Sequence, residues 1–114
     1  MLDPLSQQLN QYMTLVSVRQ KLVASNIANA DTPGYKTQDI DFESELQHAM
    51  HGGANPLASS VPGLRVKNDG NNVDLDREAR LLSENALRFS VASNLVRSQL
   101  KTVRMAIEGG SSAS

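Results

Sequence analysis

Apolar residues recur at alternating three- and four-residue steps along residues 75–107, and this spacing predicts one long helix. The repeating set, in which only Ser93 is polar, is Leu75, Ala79, Leu82, Ala86, Phe89, Ser93, Val96, Leu100, Val103 and Ile107. A mean repeat of about 3.5 residues keeps one face of a helix turned towards a partner helix, as in a coiled coil. We therefore expect these residues, called the seam below, to pack against other helices.

The residues beside the seam indicate more than one neighbouring helix. One side, called the flank below, consists of Glu78, Asn85, Ala92, Gln99 and Ala106. Most of these residues cannot form an ion pair, and the two alanines are small enough to let another backbone approach. Further apolar residues outside the seam are Leu81, Val91, Leu95 and Met105. We infer that some neighbours of this helix come from other copies of the chain or from other subunits.

A second long helix is predicted at the N-terminus, where Asp3 and Pro4 form a typical helix start. Its apolar stripe consists of Leu5, Leu9, Met13, Val16, Val23 and Ile27. Pro33 disfavours helical backbone at Thr32, so we expect the helix to end near residue 30. The predicted fold class is mainly α, with long N- and C-terminal helices that pack as an antiparallel, coiled-coil-like pair.

The segment between the two helices is predicted to be irregular and partly disordered. Pro33 and Gly34 suit the central positions of a type II turn, which would form a corner. Asp41 can then cap a short helix that ends at Gly52 and Gly53. The apolar face of this helix would be Phe42, Leu46 and Met50. After it we expect a flexible loop, at most a short extended piece at residues 64–66, and a turn at residues 68–72.

The chain therefore divides into four parts. They are an N-terminal helix (1–30), a corner with a short helix and a flexible loop (31–74), a C-terminal helix (75–109) and a tail (110–114). Gly109 and Gly110 are the predicted end of the second long helix.

Composition and charge argue against several classes of function. The formal net charge is −1, whereas nucleic-acid binding needs a concentrated basic surface. Absence of cysteine excludes disulfides, thiolate metal sites and cysteine nucleophiles. No apolar run approaches the roughly 18 residues of a transmembrane helix, so we expect no direct membrane insertion. The N-terminus lacks a basic region followed by an apolar run, so we expect no cleaved secretory signal.

Residues that could support a cofactor or catalysis do not form complete motifs. A run of alternating carboxylates resembles a calcium-binding loop and consists of Asp39, Asp41, Glu43 and Glu45. Its sixth position is Ser44 instead of glycine and its twelfth is Met50 instead of glutamate, so capping and helix-dipole interactions explain it better. His48 and His51 lack a third metal ligand. The glycines and serines match no phosphate-binding or nucleophile motif, and we predict no metal, no cofactor and no enzymatic activity.

Residues 25–36 carry a family resemblance. They read Ser25-Asn26-Ile27-Ala28-Asn29-Ala30-Asp31-Thr32-Pro33-Gly34-Tyr35-Lys36 and resemble the N-terminal signature of bacterial flagellar rod and hook subunits. Residues 39–42, the turn at residues 70–74 and the short chain resemble the proximal subunits of the rod in particular. The resemblance covers residues 1–50 and 68–109, and it does not extend to residues 52–67.

The resemblance implies a structural protein of the flagellar basal body. Subunits of this family pair their terminal helices and stack helically into a tube, which transmits torque across the periplasm and encloses the export channel. The implied partners are other rod subunits, copies of the same chain, the basal-body adaptor FliE and the flagellar type III export apparatus, which would export the chain without a cleaved signal peptide. The assembly interface would consist of Leu5, Leu9, Met13, Val16, Val23, Ile27, Leu82, Phe89, Val96, Leu100, Val103 and Ile107.

Three assignments stay open at the level of sequence. Phe42 and Leu46 match the spacing of an export-recognition motif in this family, but any amphipathic turn can supply that spacing and ordinary packing explains the pair better. Asn29 is better placed to cap a helix end than to contact a neighbour, whereas Asn26 fits either role. A function of another class is a cytoplasmic helical adaptor or type III secretion chaperone that dimerises through the C-terminal helix.

Overall fold

Two long antiparallel helices form the body of the protein, and the predicted mainly α fold class is confirmed. The computed structural model describes residues 4–53 and 55–113, with side chains to residue 109. The elements in chain order are α1 (Pro4–Ala28), β1 (Gln38–Asp39), α2 (Phe42–Met50), β2 (Ser59–Ser60) and α3 (Leu75–Ala113). The molecule is elongated and measures 73 × 25 × 17 Å.

The predicted short helix is present and runs back along α1. Asp41 caps it, because its carboxylate accepts a hydrogen bond from the backbone N–H of Ser44 at 3.3 Å. The side-chain amide of Gln11 in α1 donates to the carbonyl of Ala49 at 2.9 Å and holds the two helices side by side. Strand β1, which precedes α2, pairs antiparallel with strand β2, which follows it, and Gln38 lies opposite Ser60. Strands of two residues are too short to show hydrophobic alternation, so this pairing could not be predicted from the sequence.

All three helices meet around the buried ring of Phe42. Phe42 belongs to a core cluster with Leu15, Val16 and Ile40. The Tyr12 ring packs edge-on against it at a centroid distance of 5.6 Å. On the α3 side, the guanidinium of Arg88 lies 4.3 Å from the ring centroid, a distance typical of a cation–π contact.

The face of α3 that packs against α1 is the flank and not the seam. The buried residues of α3 are Glu78, Leu81, Asn85 and Ala92, three of which belong to the flank. Seam residues Leu82 and Phe89 are instead 39% and 52% exposed. The flank is preferred because its amide and carboxylate groups bond to α1, and because Ala92 allows a close approach of the two backbones.

Helix ends also differ from the prediction. α1 ends at Ala28, two residues before the predicted end, and α3 continues past Gly109 to Ala113. A glycine inside a helix costs only about 1 kcal/mol, which does not by itself end a helix that is otherwise continuous. No strand forms at residues 64–66. The predicted N-cap, Asp3, lies outside the described residues.

The distal part of α3 extends beyond α1. The last contacts between the two helices surround a groove formed by Ser6, Leu9, Asn10, Met13, Val96, Gln99 and Leu100. Residues 101–109 are all exposed. We call residues 101–113 the overhang, and at about 1.5 Å per residue it is roughly 20 Å long.

We predict that the overhang is only marginally helical in an isolated monomer. A helix of its length is unstable in water without tertiary contacts. Amide hydrogen exchange should therefore be fast at residues 101–108 and slow at residues 81–92, which pack against α1. Sedimentation should confirm that the sample is monomeric, and slow exchange throughout residues 101–108 would contradict the prediction.

Candidate functional site

The predicted Pro-Gly corner forms and packs against a second loop. Gly34 has a φ of +76°, and the N–H of Tyr35 donates to the carbonyl of Thr32 at 3.2 Å, as in a type II turn. The N–H of Gly34 donates to the carbonyl of Asp69 at 2.9 Å. A side chain at Gly70 would place its Cβ 3.3 Å from the Cα of Gly34, so the two loops are in direct backbone contact.

Two buried asparagines fix the loop that precedes α3 to this corner. The side-chain amide of Asn71 donates to the carbonyls of Asn29 and Thr32, both at 2.8 Å. The side-chain oxygen of Asn72 accepts from the N–H of Thr37 at 2.7 Å. The end of α1 and the start of α3 are therefore connected through directional polar contacts.

Asn26 joins α1, β1 and α3 through four hydrogen bonds. Its side-chain NH2 donates to the carbonyl of Gln38 at 2.8 Å, and its side-chain oxygen accepts from the N–H of Gln38 at 3.1 Å. A neighbouring strand would make the same pair of hydrogen bonds. The same amide donates to Oε1 of Glu78 at 3.0 Å, and its oxygen accepts from the hydroxyl of Tyr35 at 3.0 Å. Asn26 is 1% exposed, so its role in this structure is internal to the subunit.

A chain of ion pairs continues from Asn26 across β1. Arg19 forms two hydrogen bonds to the carboxylate of Asp39, at 3.0 and 3.2 Å, and Arg77 contacts the same carboxylate at 2.6 Å. Arg77 also pairs with Glu78 at 2.8 Å. Burial raises the pKa of Glu78 above its ordinary value of 4.5, and this effect exceeds the opposing effects of Arg77 and Asn26. Among the described residues, Oε2 of Glu78 and Oδ1 of Asn85 are buried without a hydrogen-bond partner.

The other signature residues lie at the surface of the corner or cap α1. Asn29 bonds to the carbonyl of Ser25 at 2.8 Å, so it has the capping role that the sequence favoured. Ser25 Oγ lies 3.3 Å from the Tyr35 hydroxyl. The remaining signature residues are exposed and consist of Asp31, Thr32, Pro33 and Gly34.

The predicted interface residues divide into an exposed and a buried set. Exposed residues are Leu5, Ile27, Leu82, Phe89, Leu100, Val103 and Ile107, and Met13 and Val96 are half-buried. Leu9, Val16 and Val23 are 8%, 2% and 1% exposed, because α1 packs them inside the subunit. In this conformation these residues have little surface left for contact with a neighbour, although Leu9 lines two of the surface grooves.

The structure has a second apolar surface that the sequence did not predict. All three helices contribute to a groove that we call the three-helix groove, and its lining includes Leu5, Tyr12, Leu46, Met50, Val91 and Leu95. The excess apolar residues of α3 were a signal for it, but the position of α2 beside α1 could not be deduced from spacing. Neither a membrane-spanning helix nor a group of three metal-ligating side chains is found in the described part of the chain.

We predict that Asn26→Leu destabilises the fold by roughly 2–4 kcal/mol. The substitution removes the hydrogen-bond partner of the Gln38 backbone and one of the partners of the Tyr35 hydroxyl and of the Glu78 carboxyl. Urea unfolding followed by circular dichroism measures the change. Asn10→Ala, at an exposed position of the same helix, is the matched control and should change the free energy of unfolding very little. Equal stability of the two variants would contradict the role of Asn26.

We predict that the contribution of Glu78 to the free energy of unfolding becomes less favourable as the pH rises. Because its pKa is higher in the folded chain than in the unfolded chain, the folded state binds the proton more tightly. The contribution of Glu78 should therefore be most favourable below pH 4.5 and decrease as the pH rises through the folded pKa. Glu78→Gln removes this titration, so the stability of the wild type minus that of the variant should fall with pH in urea unfolding between pH 4 and 8. A difference that rises with pH would show that pairing with Arg77 exceeds the cost of burial.

Comparison with known proteins shows that the corner and the part of α1 before it match a family model. A family model described as "Flagella basal body rod protein" matches residues 13–36, which include Arg19, Asn26 and Tyr35. The chain is 36% identical to the flagellar basal body rod protein FlgB of Salmonella typhimurium, over 96% of this chain and 99% of the relative. It is 32% identical to FlgB of Escherichia coli K12 over the same shares, and 31% identical to FlgB of Borrelia hermsii over 87% of this chain and 92% of the relative. The chain therefore belongs to the FlgB family of flagellar basal body rod proteins, which are structural components of the rod and not enzymes.

Proposed function

We propose that the chain assembles with its own copies and with other axial proteins into the tube of the rod, through the apolar surfaces that it leaves exposed. In this role the subunit transmits torque and helps to enclose the export channel. The observation that carries the proposal is the large exposed apolar surface of the helix pair. Single exposed apolar residues are normal, but contiguous patches on a water-soluble surface indicate contact with other molecules.

The exposed residues lie on more than one side of the helix pair. The seam presents Leu82 and Phe89 beside α1, and Leu100 continues the same stripe towards the overhang. On another side, Val91 and Leu95 line the three-helix groove and are both 51% exposed. A subunit inside a tube has neighbours on several sides, so this distribution fits a rod better than it fits a two-fold dimer with one interface.

The proposal includes further partners and a route of export. The family resemblance supports contact with FliE at the basal body, and export through the flagellar type III apparatus without a cleaved signal peptide. The assembled chain would lie in the rod that spans the periplasm. Membership of the rod family also speaks against the cytoplasmic adaptor or secretion chaperone.

Phe42 and Leu46 have a packing role in the folded subunit. Phe42 is 6% exposed, and Leu46 packs partly buried against the same cluster. If the pair is also an export signal, the export apparatus can bind it only in the unfolded chain. Both roles are compatible, because export of an unfolded chain precedes formation of the core.

We predict that Leu100→Asp prevents assembly of the rod. The substitution places a charge on an exposed apolar stripe, where a neighbour would have to bury it without a partner. The gene is deleted in the source bacterium, and the intact gene or the variant is returned. Electron microscopy of basal bodies and a motility assay should show rods and swimming with the intact gene only.

Leu57→Asp is the matched control for this experiment. Leu57 is 76% exposed in the loop before β2 and lines neither apolar helix surface, so the control should restore motility. Normal rods from Leu100→Asp would refute the assembly role of the seam. Normal flagella after deletion of the gene would refute the proposed function itself.

A further inference from the structure

We propose that the overhang of one copy docks in the three-helix groove of a second copy. This inference rests on the proposed function and specifies one contact between subunits. It follows from three properties of the described residues: an unpartnered helix with an apolar stripe, an apolar groove of matching type, and charges of opposite sign beside the two surfaces.

The overhang and the helical turn before it have one apolar side and one mainly basic side. Leu100, Val103 and Ile107 follow each other at three- and four-residue steps and are 62%, 45% and 65% exposed. A second set follows the same steps along the adjacent side of the helix and consists of Arg97, Lys101, Arg104 and Glu108, three of which are basic. Lys101 and Arg104 enter no ion pair within the part of the chain that the structure describes.

The groove has an apolar floor and an acidic helix beside it. Leu5, Met50, Val91 and Leu95 are between 43% and 51% exposed, although they line a concave surface. Helix α2, which forms one wall, carries Glu43 at an exposed position. An amphipathic helix could therefore place its apolar stripe in the groove and its basic residues against α2.

The groove cannot be filled by the overhang of the same molecule. Val91 and Leu95 belong to α3 itself, and α3 is one continuous helix from Leu75 to Ala113. Residue 101 and those after it therefore lead away from the groove along the helix axis. The occupant must come from another molecule, and a second copy supplies a helix with the required pattern.

Charge favours the three-helix groove over the seam surface as the docking site. The seam surface lies beside Ser17 and Gln20 of α1. Lys21 follows Ser17 by four residues on the same side of that helix, and α1 contains no acidic residue. Lys101 and Arg104 would meet like charge there and no carboxylate of α1. The three-helix groove also has a basic residue near it, Arg88 beside the Phe42 ring, but Glu43 on α2 offers the opposite charge.

Such a contact joins two different surfaces of identical molecules. It is therefore heterologous, and it leaves the groove of one copy and the overhang of the next copy free to repeat the contact. Heterologous contacts that do not close into a ring generate helical assemblies. The contact thus fits the type of symmetry that a helical rod requires.

Cysteine cross-linking in assembled rods tests the contact, because the native chain contains no cysteine. One copy carries Met50→Cys in the groove, and the other carries Val103→Cys or Ile107→Cys. The two overhang positions are one helical turn apart, so that one of them can meet residue 50 even if the overhang is shifted along the groove. A disulfide forms only when the two Cα atoms come within about 7 Å. Both copies are expressed in the source bacterium lacking the native gene, and isolated basal bodies are oxidised and analysed by non-reducing electrophoresis.

We expect a covalent dimer that reducing agent abolishes. The matched control pairs Leu82→Cys on the seam with the same overhang cysteines, and it should give little or no dimer. Glu43→Lys in the groove copy should lower the yield of the dimer, and Lys101→Glu in the overhang copy should restore it. Rescue by the reversed charges distinguishes a direct contact from accidental proximity.

Two results would overturn the inference while leaving the proposed function intact. One is a dimer from the seam pair in place of the groove pair. The other is motile cells whose rods contain both variants but give no dimer with either overhang position. If deletion of the native gene leaves rods and motility unchanged, the proposed function fails and the docking contact fails with it.

Discussion

The side-chain amide of Asn26 is the interaction on which the arrangement of the helices depends. It completes the hydrogen bonds of the Gln38 backbone and reaches Glu78 on α3, so three elements are positioned by one side chain. Only an amide offers both a donor and an acceptor in the geometry of a backbone partner. Asn71 and Asn72 act in a similar way, because their side chains bond to backbone groups of Asn29 and Thr37. A regular sheet would make such contacts between backbone groups.

The contact between α1 and α3 is unusually polar for a helix pair. Asn85 donates to the carbonyl of Val16 at 2.8 Å, and Glu78 is fully buried, yet each retains an oxygen without a partner among the described residues. Such groups cost stability, but they define the register of two helices because any shift would break several bonds at once. Large apolar residues such as Phe89 and Leu95 are left outside this contact.

The sequence was sufficient for the number of helices, their approximate limits, the Asp41 cap and the Pro-Gly corner, because each depends on local spacing or a local steric rule. It was insufficient to predict which face of α3 packs against α1. Apolar periodicity identified the seam, whereas hydrogen bonds between distant residues placed the flank against α1. For the same reason Asn26 could not be assigned a role, since its partner Glu78 is 52 residues away in the chain. The three-helix groove depends on where α2 lies, and no short-range pattern encodes that position.

The structure separates the interactions that fold the subunit from those available for assembly. Polar contacts at the corner are directional, and one set of partners satisfies them within the chain. The exposed apolar surfaces are not directional, so the same residues can pack against neighbours of different sequence. A rod subunit benefits from this division, because the register of its own helices is fixed before any neighbour is bound. The overhang belongs to the second group, and its helix gains tertiary contacts only when another molecule supplies them.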